Sequence, residues 1–240
     1  MQFYTPILLT VSENYDNAWR VFEVIKIVRP PKLYIAVNHD SNDSHIKNFE
    51  AEIGRMSHNI DWPCEIKVFT ENFNNPATAS PLMWFFSMAD EGIIIEDTCL
   101  PVPSFFAFSE AMLERYRAKK SVLTISGTNV ARTWKSKHSY FFSQYGTAGG
   151  WATWKRAWES DKEELSALFV EKVRDWTKTE LESLTIVPTS NLIERINESP
   201  RIPCTPLRFP LEHQITFRIE TPYDKYLADK LSKNKLESAP

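Results

Sequence analysis

The sequence predicts a single α/β domain with a mixed, mainly parallel central sheet flanked by helices. Three observations lead there. Short apolar, β-branched runs alternate with amphipathic stretches along the first 127 residues, the rhythm of βαβ units. The run Ile93-Ile94-Ile95 offers apolar side chains to both faces, as a strand covered by helices on each side must. Two acids, Glu96 and Asp97, follow that run without a spacer, at the end of a strand where open α/β sheets bind ligands.

The elements follow in order. PILLTV at 6–11 reads as the first buried strand, followed by a polar turn with several potential caps. AWRVFEVIKIV at 18–28 has apolar residues at helical spacing and is stopped by Pro30-Pro31. LYIAV at 33–37 is the second strand, ending in Asn38-His39-Asp40. A weak amphipathic helix is predicted over 45–59, and CEIKVF at 64–69 alternates apolar and charged residues as a third strand does. A polar loop over 70–80 precedes an apolar helix at 81–89, with Pro81 in its first turn. The triple-Ile strand covers 92–96, and a turn bounded by Pro101 and Pro103 leads into a helix over 104–118 with Ser104 as its cap. SVLTIS at 121–126 is the next strand.

Beyond residue 127 the pattern becomes irregular. A strand is predicted at 139–143, a glycine-rich loop at 146–151, and a helix starting at 153. One or two helices over 162–184, a strand at 184–188, a Pro-rich loop over 191–210 and a charged tail helix over 223–237 complete the expectation. We read residues 1–221 as the domain, with a first part to about 127 and a second part from 128, and 222–240 as a tail.

Composition removes several function classes. Hydrophobic content of 42% supports a sizeable core, and a net charge of −3 provides no global attraction for nucleic acid or anionic membranes. No apolar run is long enough for a membrane span. The scattered Cys64, Cys99 and Cys204 form neither a disulfide framework nor a CxxC site and predict a cytoplasmic setting. Nucleophile-elbow, zincin, dinucleotide and P-loop signatures are absent. His39, His45 and His58 are too loosely spaced for a metal site.

Two stretches carry chemistry. Glu96 and Asp97 point to opposite sides of an extended chain, so they suit different tasks: one holding a divalent cation, the other accepting from a ligand hydroxyl. A cap or ion pair at the strand end is the alternative. In GTAGGWATWKRAW at 146–158, three of the chain's 6 glycines fall within five positions. That loop is suited to setting Trp151 and Trp154 against a sugar or base, with Lys155 and Arg156 near phosphates. The alternative is a tight turn followed by a helix whose Trp151, Trp154 and Trp158 form a core stripe. His213 and Cys204 are candidate late metal ligands.

Several stretches, in this order, resemble one family: KLYIAV (32–37), EGIIIEDTCLPVPSFFAFSEAMLERY (91–116), ISGTN (125–129), SYFFSQYGTAGGWATWKRAW (139–158), TIVPTSNLI (185–193) and FPLEH (209–213). They resemble the GT-A-fold nucleotide-diphospho-sugar transferases often labelled haemolysin-like. The resemblance implies a Rossmann-like sheet, a nucleotide-sugar donor and Mn2+ or Mg2+. It implies donor contacts at Thr10, Val11, Ser12, Asn38, Glu96, Asp97, Gly150, Trp151 and Lys155. It also implies metal ligation by Asp97 with His213 or Cys204. The family's acid motif reads Glu-Asp-Asp-Cys; here Thr98 replaces the second Asp, and Asn38 stands where an acid is common.

The chemistry so implied is transfer of a sugar from a nucleoside diphosphate, UDP foremost, to an acceptor hydroxyl. Charge growing on the leaving diphosphate would be met by a metal on Asp97, helped by Lys155 or Arg156. Glu159 and Asp161 are the nearest candidates for a general base. The competing readings are a nucleotide-sugar-binding module without chemistry and, more distantly, a nucleotidyltransferase.

Overall fold

The first, second and fourth strands follow from apolar runs that find cover on both faces, whereas the third, at the end of the sheet, is only partly covered. The computed structural model describes residues 3–12, 15–38, 46–69, 80–129, 139–143, 150–160 and 184–196, with backbone alone for 46–50 and 80. Strand β1 (Ile7–Val11) leads to helix α1 (Tyr15–Val28), β2 (Leu33–Asn38), α2 (Ile46–His58), β3 (Cys64–Phe69), α3 (Ser80–Met88) and β4 (Glu91–Glu96). Next come β5 (Cys99–Pro101), α4 (Pro103–Tyr116), β6 (Val122–Ser126), β7 (Tyr140–Ser143), β8 (Trp151–Trp154), α5 (Lys155–Ser160), β9 (Leu184–Pro188) and β10 (Ile193–Arg195). The predicted helices beyond residue 160, the loop over 70–79 and the tail lie outside the described residues.

Eight strands form one sheet in the order β3-β2-β1-β4-β8-β6-β9-β7, and β10 pairs with β5 in a second, two-stranded sheet. β1, β2, β3 and β4 are mutually parallel, as are β6 and β9; β8 runs antiparallel between β4 and β6. The expected mixed, mainly parallel sheet is therefore present. Ile93, Ile94 and Ile95 are fully buried because opposite faces of the sheet are covered. On one face α3 brings Phe85 against Tyr34 and to the bare backbone of Gly92. On the other, α4 sets Phe108 and Tyr116 against Tyr140, and Leu113 accepts the Trp154 indole N–H.

Three local expectations change. α4 starts at Pro103 with Val102 as its cap, not at Ser104, because Pro is pre-set for the first helical position and needs no N–H there. Trp151–Trp154 is a strand, so Trp151 and Trp154 face opposite sides of the sheet and form no helical stripe. Ile193–Arg195, expected within a Pro-rich loop, is strand β10.

Candidate functional site at the switch point of the sheet

The strand order runs outward from β1 in both directions, to β2 and β3 on one side and to β4 on the other. This reversal makes the carboxyl ends of β1 and β4 the topological switch point, where crevices open in such sheets. The register places Thr10 opposite Glu96, so Ser12 and Asp97 emerge side by side.

They are tied together. The backbone N–H and the hydroxyl of Ser12 both donate to Asp97 Oδ2, at 2.7 and 2.8 Å, and the Asp97 N–H donates to Thr10 O at 2.9 Å. Burial raises the Asp97 carboxyl above its ordinary range, against hydrogen bonds from Ser12 and the backbone of Thr98 that pull it down. The side chain is only 3% exposed. This acid thus works as a latch that fixes the exit of β1 against the exit of β4.

In the second sheet β10 pairs with β5, which follows the two acids in the chain. Arg195 lies opposite Cys99, and the Ile196 N–H donates to Thr98 O at 2.8 Å. The Leu192 N–H donates to Gly127 O and the Val102 N–H to Leu192 O, both at 2.9 Å. Gly127 and Gly150 make room for this segment. A Cβ on Gly127 would lie 2.5 Å from Ile193 and 2.9 Å from Gly150 O; one on Gly150, whose φ is 85°, would lie 2.6 Å from Ile193.

The expected site residues divide into three groups. Thr10, Val11, Ser12, Asn38, Glu96 and Asp97 converge at the carboxyl edge, although Thr10 and Val11 are buried and present no side chain there. Gly150 and Trp151 also lie at this edge, but Gly150 packs against Ile193 and Trp151 is 1% exposed, paired with Ile94 and Ser126 in the sheet. As a buried residue, Trp151 provides no wall for a sugar. Lys155 and Glu159 fall at the opposite edge. The Trp154 position pairs with Glu91, the first residue of β4, and five strand steps of about 3.3 Å separate it from Glu96, roughly 17 Å. There they line an open groove of about 900 Å³ with Pro6, Lys32, Asp90 and Arg117. Arg156 is committed to the end of α4, donating to the carbonyls of Tyr116, Arg117, Lys119 and Val122. Asp161, Cys204 and His213 lie outside the described residues.

The described donor set does not fit a divalent-metal centre. Asp97 is buried with its Oδ2 taken by Ser12, Thr98 offers no charge, and no group of three His, Cys, Asp or Glu comes together among the described residues. Sequence reasoning did not place Arg195 on a strand beside the two acids. The signal was short: apolar Ile193 and charged Glu194 and Arg195 between prolines, too brief to separate from loop.

No protein-family model matches the chain, and no curated protein matches it. Solved structures do. One of GalNAc-T7 with UDP, GalNAc and Mn2+ is 10% identical with a TM-score of 0.54, covering 80% of this chain and 44% of that one. The mannosyltransferase PcManGT from Pyrobaculum calidifontis, in complex with GDP-Man and Mn2+, is 14% identical with a TM-score of 0.45, covering 64% and 46%. S. aureus TarS is 8% identical with a TM-score of 0.48, covering 79% and 59%. The chain thus spans about half the length of the structures it matches. With its eight-stranded mixed sheet and its likeness to the first of these, the domain has the GT-A fold of nucleotide-sugar glycosyltransferases.

Proposed function

We propose that the chain binds a nucleoside-diphosphate sugar at the carboxyl edge of β1 and β4 and transfers the sugar to an acceptor hydroxyl. The observation that carries this reading is the latched pair Ser12 and Asp97, which fixes two strand exits at the switch point of a GT-A sheet. The base would lie over the ends of β1 and β2, near Ser12 and Asn38. The diphosphate would lie toward Glu96 and Thr98, between the two sheets. Asp97 acts in this reading as a positioning residue. It holds the β1 exit in one geometry, so ordering that turn is not charged against ligand affinity. The described residues do not support a step through a metal on Asp97, and none is assigned. Glu159 is not retained as a base, because it lies at the far edge.

A second reading is favoured by the same latch and by Thr98: a nucleotide-sugar-binding module that has the fold without the transfer. One experiment separates them. The protein is incubated with UDP- and GDP-sugars, with and without Mn2+ or Mg2+. Melting temperature and released nucleoside diphosphate are both measured. A ligand at 100 times its Kd stabilises by about 2.7 kcal/mol, a shift of roughly 5–10 °C in a domain of this size. Shift with release is the expected result. Shift without release under any condition supports the binding module, and neither shift nor release across the panel removes both.

A further inference from the structure

We propose that the positive charge facing a bound diphosphate at this edge is Arg195, delivered by strand β10, and not a metal held by the acid motif. The inference rests on the nucleotide-binding reading above. A diphosphate brings several negative charges to a place that already holds Glu96 and Asp97. Desolvating it there without a cation is strongly unfavourable. Among the described residues no group of three His, Cys, Asp or Glu forms that could hold a metal cation, and Asp97 gives its Oδ2 to Ser12. Lys155 and Arg156, the basic residues expected near phosphates, stand at the other end of the sheet.

Arg195 is where a cation is needed. Antiparallel pairing sets it directly opposite Cys99, and the next residue bonds Thr98, the position that follows the two acids. Directly opposite residues in such a ladder have Cα atoms about 4.5–5.5 Å apart, well within the reach of an arginine side chain. Among the described Lys and Arg residues, it alone lies on the strand paired with β5, which follows the two acids.

Its strand is held on both sides of it. Ile193, on the same face of β10 by the two-residue period, lodges against Gly127 and Gly150, and backbone bonds hold Leu192 and Ile196 on either side. Arg195 is half-buried. A guanidinium has five N–H donors, so it can keep its contact within the protein and still offer a fork to phosphate oxygens. Thr98, directly after the two acids, carries no charge, and β10 sets an arginine beside that turn.

The test measures affinities of the full chain for UDP and GDP, and for uridine and guanosine by ligand-observed NMR, in EDTA and in Mn2+. Wild type is compared with Arg195→Gln and Arg195→Lys, with the melting temperature of each variant recorded. We expect diphosphate binding in EDTA, a loss of about 10- to 100-fold in diphosphate affinity for Arg195→Gln with nucleoside affinity unchanged, and partial recovery in Arg195→Lys. If Arg195→Gln does not fold, Arg195→Lys decides alone, through selective weakening of the diphosphate. Diphosphate binding that needs Mn2+ and ignores Arg195 overturns the inference and leaves the proposed function standing. Equal weakening of nucleoside and diphosphate assigns Arg195 a purely structural role and also overturns it. No binding of any nucleotide to wild type overturns both.

Discussion

Asp97 is held in balance, because burial favours its neutral form and Ser12 favours its charged one, with burial the larger effect. Between its unfolded and its raised folded pKa, the folded chain keeps a proton that the unfolded chain has released. Stability contributed by this group therefore falls as pH rises through that window. Urea unfolding of wild type and Asp97→Asn from pH 4 to 7 should show the variant gaining on wild type as pH rises; a gap constant with pH would contradict the raised pKa. The glycines give a second residue-scale test. Gly127→Ala forces a methyl against Phe105, Ile193 and the backbone of Gly150 and should lose about 1–3 kcal/mol. Gly150→Ala, at φ 85° and facing only the movable end of Ile193, should lose about 1–2 kcal/mol. Denaturant midpoints check both. The glycine cluster was legible as a place of close backbone approach. What approaches was not, since Ile193 lies more than forty residues further along the chain.

At the scale of elements, α4 shows how a residue read as functional is used structurally. Its last turn leaves carbonyls without helical partners, and the Arg156 guanidinium meets four carbonyls there and beyond while stacking 4.3 Å over Trp154. Arg156→Met should destabilise by about 1.5–3 kcal/mol, and Arg156→Lys should recover little, because an ammonium cannot reproduce the planar fork. Nucleotide binding by folded Arg156→Lys, measured by thermal shift, should match wild type. Helix and strand positions in the first half were legible because each apolar run is bounded by Pro or polar turns. The strand Trp151–Trp154 was not. Four residues are too few to establish a period of two, and the helix that follows lends them its own pattern.

For the whole molecule, the two edges of the sheet make opposite predictions. Lys155→Ala and Glu159→Gln, in the groove at the opposite end of the sheet from the acids, should leave nucleotide affinity within about twofold of wild type. Ser12→Ala and Asp97→Ala, at the switch point, should reduce it at least several-fold, read by the same titration. The reverse pattern would move the site to the groove beside Arg117. By itself the sequence determined the α/β class, the buried central strand and the two acids at its end, because these depend on local periodicity and on which residues tolerate burial. Tertiary structure alone decided that Asp97 faces Ser12, that Lys155 and Arg156 lie at the opposite edge, and that Arg195 stands beside the acid turn. Each of these depends on strand order and register, and pairing between segments roughly 85 to 100 residues apart leaves no local trace in either one.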